Sequence, residues 1–356
     1  MAPPPWIGVA IPNQNPCSRL PNLRSRRSHA PSILIPTTRI PSMPRSRPPR
    51  FAPLLPILAG LAVLAGAGCS PGTDQVVEAS PAPLLVSADW VQERLGDGGA
   101  EGSALVLLHV GSDSSFVAGH IPGARPLALQ RFAPEVNGLG TEMPDPADLR
   151  ELLEEAGVSV DSRIVVYSAT HPPQFAARLY LTLEHFGMGA QSSILDGGLR
   201  GWEGEGRPLA TGAVTVERGS LPELTPRPGL LVDHDGVAAR IADAGAQVVD
   251  ARDPQFWTGE AHLQQRAARP GRIPGARNVP FRSLVDDSGH FLDEAALRAR
   301  FTEAGIEPGE PVVAYCHVGQ QASLLTVAAR LLGHPVQLYD GSWEDWSQRL
   351  ELQAEN

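Results

Sequence analysis

The feature that most constrains this chain is an internal repeat: four blocks occur twice, in one order and at nearly one spacing. Gly119-His120-Ile121-Pro122-Gly123-Ala124 returns as Gly271-Arg272-Ile273-Pro274-Gly275-Ala276. The helix pattern from Leu149-Arg150 to Glu155-Ala156-Gly157 returns 148 residues later, from Leu297-Arg298 to Glu303-Ala304-Gly305. At the same offset Ile164-Val165-Val166-Tyr167 returns as Val312-Val313-Ala314-Tyr315. Asp196-Gly197-Gly198, closing on Trp202, returns as Asp340-Gly341-Ser342, closing on Trp346. Self-similarity of this kind reports a repeated architecture, and a period this long is the length of a domain.

Within each copy short β-branched runs alternate with amphipathic stretches. That order predicts an α/β fold in which each copy is an open parallel sheet with helices on both faces. In the second copy strands are expected over Gln247–Asp250, Asn278–Val279, Val312–Tyr315 and Val336–Tyr339. Helices are expected over Asp235–Ala244, Glu294–Ala304 and Ser323–Leu332, the last stopped by Gly333. The 356 residues suit two such units with extra segments. The copies are placed at residues 84–210 and 230–350, joined by a proline-rich linker over residues 211–229.

The N-terminal part reads as an address. Residues 1–42 are rich in Pro, Ser and Arg and are expected to be disordered or to lie upstream of a true start at Met43. From Met43, Arg45, Arg47 and Arg50 precede an apolar run from Phe51 to Ala67, which ends on Gly66-Ala67-Gly68-Cys69-Ser70. That ending resembles a bacterial lipoprotein signal over residues 43–68, with Cys69 as the lipidated residue and residues 69–83 as a tether. A departure is Gly66, where such signals usually carry Leu. An ordinary secretory signal cut nearby, or a single transmembrane anchor of short span, is the competing reading. The expected location is the periplasm or cell envelope, with membrane attachment through the lipid only.

The chain carries a net charge of −10, and residues 1–68 hold eight arginines and no Asp or Glu, so the remainder is more acidic still. A body of that charge repels nucleic acid and anionic lipid. The three cysteines are Cys17, Cys69 and Cys316, which excludes a four-cysteine metal site. If Cys69 is lipidated, Cys316 is the single free thiol of the folded part.

Cys316 follows the run Val312–Tyr315 and precedes His317-Val318-Gly319-Gln320-Gln321-Ala322-Ser323. A strand, a glycine-bearing loop and a helix place it at the carboxyl end of a strand, where chemistry gathers in open α/β sheets. Loop N–H groups and the helix N-terminus stabilise an anion there, and are expected to lower the thiol pKa from about 8.5 toward neutrality. The alternative is a buried core cysteine. Its sister in the first copy is Ser168, followed by Pro172-Pro173, which lack N–H donors. Val249-Asp250-Ala251-Arg252 likewise aligns with Leu108-His109-Val110-Gly111. The first copy therefore reads as a structural partner.

Together the paired turns, the Tyr-Cys loop and the Asp-Gly endings resemble tandem rhodanese-domain sulfurtransferases, over about residues 84–350. The resemblance implies two rhodanese-like domains, the second catalytic. It implies that Cys316 takes a sulfane sulfur from thiosulfate or 3-mercaptopyruvate as a persulfide and passes it to cyanide or a thiol, a thioredoxin-like protein among the acceptors. No cofactor or metal is needed. His317, Val318, Gly319, Gln320 and Gln321 would line the anion site, Gly319 supplying a positive φ. Arg252, just past its strand, would bind the donor's oxyanion, with an ion pair to Asp253 or another loop acid as the competing reading. Ser323 is expected to cap the helix, while Asp250, Trp257 and Trp343 are expected to be structural. Two departures stand out: the loop has no cation unless His317 is protonated, and residues 253–259 offer no second arginine. Phosphatase chemistry on this fold needs an arginine at Ala322 or Ser323, and the nearest one downstream is Arg330. A membrane-tethered persulfide carrier without turnover is the stronger rival.

Overall fold

The computed structural model describes residues 82–96 and 105–356. The expected signal, Cys69 and nearly all of the tether lie outside the described residues. Two five-stranded sheets, parallel at every pairing, follow one another along the chain. The first holds β1 (Leu85–Val86), β2 (Leu105–Val110), β3 (Arg125–Leu127), β4 (Arg163–Ser168) and β5 (Ser192–Leu195), in the order β1-β5-β4-β2-β3. The second holds β6 (Leu231–Val232), β7 (Gln247–Asp250), β8 (Arg277–Asn278), β9 (Val312–Tyr315) and β10 (Val336–Tyr339), in the order β6-β10-β9-β7-β8. The orders are the same, as the repeat requires.

Helices cover both faces. In the first copy they are α1 (Ala88–Gly96), α2 (Asp113–Ala118), α3 (Leu129–Phe132), α4 (Pro146–Glu155), α5 (Gln174–His185) and α6 (Gly198–Gly204). In the second they are α7 (His234–Ala242), α8 (Pro254–Trp257), α9 (Glu294–Glu303), α10 (Gln320–Leu331) and α11 (Ser342–Gln348). Strands β7, β9 and β10 fall where the β-branched runs predict. Helix α10 starts three residues before the expected Ser323 because Gly319, at φ 83°, ends the loop and is the N-cap. Ser323 does not cap; its hydroxyl donates back to the Gly319 carbonyl at 2.8 Å. Pairs as short as β1 and β6 leave too little alternation to be read from sequence.

Helices α5 and α10 are apolar around most of their circumference and pack on each other. Such a helix is stable only when covered on all sides. One continuous core therefore runs from Val106, Leu108 and Val166 in the first sheet through Leu179 and Leu325 to Val249 and Ala314 in the second. Separate clusters fill the outer faces around Trp202 and around Trp343 and Trp346. Residues 211–229 carry no helix or strand, yet Leu221 and Leu224 are buried in the shared core and Arg227 N–H donates to the His185 carbonyl at 2.6 Å.

Candidate active site

Every residue of β9 is buried, and its carboxyl end delivers Cys316 to the centre of the second sheet's edge. The thiol is fully buried and is the free cysteine among the described residues. Its sulfur accepts from the backbone N–H groups of Ala322, Val318 and Gln321, so the first turn of α10 and the loop form an anion cradle. Cys316 N–H donates to Ser342 Oγ at 3.1 Å, and its carbonyl accepts from Trp343 N–H at 3.0 Å. The Asp340-Gly341-Ser342 block thus clamps the cysteine from beneath. A Cβ on Gly319 would lie 2.6 Å from Asp340 Oδ1, so a side chain there is barred by space as well as by φ.

Burial pushes the Cys316 thiol up from its ordinary value, and Asp250 adds to this, while the three N–H groups oppose it. The direction corrects the expected fall toward neutrality. Closed over and dry, the site favours the neutral thiol. His317 is half-buried with its ring edge-to-face on Phe256 at 4.6 Å. Desolvation, then the Arg252 charge, lowers its pKa to about 4, so it supplies no cation at neutral pH.

Arg252 lies at the cysteine's edge of the sheet, since Ala251 N–H bonds the Tyr315 carbonyl at 2.9 Å. Its guanidinium is nevertheless committed inward. Nε contacts both Asp250 carboxylate oxygens at 2.9 Å, Nη2 reaches Oδ2 at 2.5 Å, and Nη2 also donates to the Gly271 carbonyl at 2.8 Å. Asp250, rather than Asp253, is its partner; Asp253 pairs with Arg282 at 3.6 Å. Both Arg252 and Asp250 are buried, a site where removing either partner is costly. The picture of Arg252 as an open oxyanion clamp is therefore corrected: Nη1 alone lies outside these bonds. Trp343 is core, its ring 5.1 Å beneath the Arg252 guanidinium, and Trp257 carries Arg272 over its ring.

Val318 and Gln320 are placed on the loop and first turn, Val318 buried less completely than the cysteine it follows and Gln320 half-buried. Gln321 presents a buried side-chain Oε1 with no protein partner, an acceptor left beside the cradle. Sequence reasoning missed what the first copy brings. Thr141 Oγ1 donates to the Val318 carbonyl, and Gly140 N–H donates to the Glu344 carboxylate at 2.6 Å. Arg178, buried in α5, pairs with Asp340. An arginine inside an otherwise apolar helix is the one signal that pointed there.

At the sister position Ser168 Oγ lies 3.3 Å from Thr170 Oγ1. His109 does not face it. The Ser115 hydroxyl donates to the Ser112 carbonyl at 2.7 Å, so it accepts from His109 Nε2, and Nδ1 accepts from the Tyr167 hydroxyl at 3.0 Å. His109 and Ser168 therefore share no hydrogen bond.

A rhodanese-like domain model matches residues 87–205 and again residues 233–349. A Mycolicibacterium smegmatis protein described as a thiosulfate sulfurtransferase is 31% identical over 271 residues, 74% of this chain and 94% of its own length. A sulfur carrier protein of Thermus thermophilus is 32% identical over 276 residues, covering 74% and 93%. Among solved structures, the Escherichia coli 3-mercaptopyruvate sulfotransferase superposes with a TM-score of 0.63 at 29% identity, covering 74% of this chain and 99% of that one.

Proposed function

Because this chain belongs to the rhodanese family of sulfurtransferases, we propose that it moves a sulfane sulfur through a persulfide on Cys316. The observation that carries this reading is the cradle: three N–H groups converge on a sulfur that ends the central strand. Such donors stabilise a thiolate, and equally the terminal sulfur of a persulfide anion. The donor is a small sulfur anion of the kind its relatives are named for, thiosulfate or 3-mercaptopyruvate. With thiosulfate, Cys316 first gives its proton to solvent; the thiolate, held by the N–H groups, attacks the outer sulfur, and sulfite leaves with the electron pair of the broken S–S bond. Cyanide or a thiol then takes the outer sulfur, and the thiolate returns. The N–H groups of Val318, Gln321 and Ala322, with Gly319 holding the turn, bind the anion. Arg252 contributes its field and Nη1, Gln320 and Gln321 neutral hydrogen bonds, and His317 an uncharged wall.

The test is mass spectrometry of the protein after thiosulfate, with thiocyanate release on adding cyanide. The expected result is a mass gain of one sulfur on Cys316 and turnover, both absent in Cys316→Ser; no loading from either donor overturns the reading. A carrier role is the second reading, favoured by the name of the Thermus relative and by the pairing of Arg252 with Asp250 and Arg266 with Glu344, which leaves little free positive charge for a dianion. Stable persulfide without thiocyanate would select it. We further propose an exported lipoprotein anchored through Cys69, supported by the basic, apolar and small-residue order of residues 43–70. A lipid mass shift on Cys69 checks this; an unprocessed chain would sink it.

A further inference from the structure

The last contact on the cysteine loop comes from the copy that has no thiol. Between α3 and α4 the chain crosses to the second domain, and Thr141 reaches the loop: its hydroxyl donates to the Val318 carbonyl. Its own carbonyl accepts from Arg178 Nη2 at 2.5 Å. Thr141 holds this place at φ 58°, a left-handed conformation that β-branched residues rarely adopt. The repeat supplies an internal control. Four residues before the N-cap aspartate of the following helix stands Thr141 in the first copy (before Asp145) and Gly289 in the second (before Asp293). Gly289 has φ 94°. Glycine is the unstrained choice for this backbone, and the copy whose loop does not face the cysteine has it.

Strain of this sort persists where the surroundings hold it and a function uses it. Arg178 is the holder, buried and fixed by Asp340. The use lies at Val318. Its N–H donates to the Cys316 sulfur, while its carbonyl, in the peptide plane shared with Gly319, is drawn outward by Thr141. Rotating that plane would take Gly319 from its φ of 83° and bring the negative end of the peptide dipole to the sulfur's side.

We propose that Thr141 is a positioning residue for sulfur transfer: across the domain boundary it holds the Val318 carbonyl away from the Cys316 anion and fixes the Gly319 turn from which the Gln321 and Ala322 N–H groups follow. The proposal rests on Cys316 being the nucleophile. Thr141→Gly separates it from a merely structural role, because glycine relieves the backbone while deleting the hydroxyl. In the full chain this variant keeps or gains melting temperature, forms the Cys316 persulfide from thiosulfate about tenfold more slowly, and shifts the pH profile of Cys316 alkylation by iodoacetamide to higher pH. Thr141→Val, which keeps the branched shape, shows the same slowing and the same shift. Thr141→Ser restores both. A glycine variant with wild-type rate and an unchanged alkylation profile overturns the proposal, as does a serine variant that fails to rescue. Cys316→Ser runs alongside: if it still transfers sulfur, the reading of Cys316 fails by itself, and the alkylation profiles still decide the role of Thr141.

Discussion

The two copies share a scaffold and differ at one strand end, and the difference separates what the fold needs from what the chemistry needs. In both, the turn isoleucine donates its N–H to the hydroxyl of the tyrosine that ends or nearly ends the central strand: Ile121 to Tyr167 at 3.1 Å, Ile273 to Tyr315 at 3.2 Å. Beyond that tyrosine they diverge. Cys316 enters a loop closed by a left-handed glycine, with N–H groups turned inward. Ser168 enters a loop with a cis His171-Pro172 bond, and α5 begins after Pro173. The space beside the tyrosine is filled differently too. The second copy buries the Asp250–Arg252 ion pair there; the first buries one neutral histidine, His109, bonded to Tyr167 and Ser115. Charge and thiol are absent together, whereas the tyrosine and turn are kept in both.

The sharpest way to break this comparison is to move the thiol. Ser168→Cys on a Cys316→Ser background is expected to form no persulfide with thiosulfate by mass spectrometry, since the prolines leave no cradle to hold the anion. Sulfur loaded at the first copy's strand end in that double variant would mean that the loop matters less than the strand end. The next effect concerns the substitute histidine. Burial, then the nearby His120, lowers His109 from 6.5 to about 4. Between those values the unfolded chain binds a proton that the folded one does not, so stability rises with pH across that window and is lost as pH falls through it. A difference of that size amounts to about 3 kcal/mol. Urea unfolding across that window checks it: His109→Asn should flatten the slope, and an unaltered slope would remove His109 from the account. The smallest effect tests the shared scaffold. Asp145 and Asp293 cap α4 and α9, each side chain accepting at 2.8 Å from a helix N–H, that of Ala147 two residues on and that of Ala296 three residues on. Asp145→Ala and Asp293→Ala should each cost about 1 kcal/mol in chemical denaturation; a large inequality would show that the scaffolds are less alike than their strand orders.

Much of this was legible because it is local or repeated. The β-branched runs gave β7, β9 and β10 their bounds, and the offset between copies carried the second copy's fold back onto the first. Cys316 was legible for the same reason, at a strand end followed by glycine. Arg252 was half legible: its place at the sheet edge follows from β7, but its fork belongs to Asp250, two residues earlier, where strand periodicity points both side chains to one face. Thr141 was not legible at all. Its contact spans 177 residues, and only the packing of α5 on α10 brings the two loops together. The thiol's direction of shift was misjudged because a sequence shows the N–H donors of a loop and not how dry the loop becomes.

The core that runs through α5 and α10 carries a consequence for the history of such a chain. Each helix relies on the other to keep its apolar sides from water, so neither half is a spare that could be discarded once its own chemistry had lapsed. The duplication works as a ratchet: the first copy carries no thiol at its strand end, yet removing its domain would strip the second of its wall. Packing alone is reason enough to keep a copy that lacks the thiol.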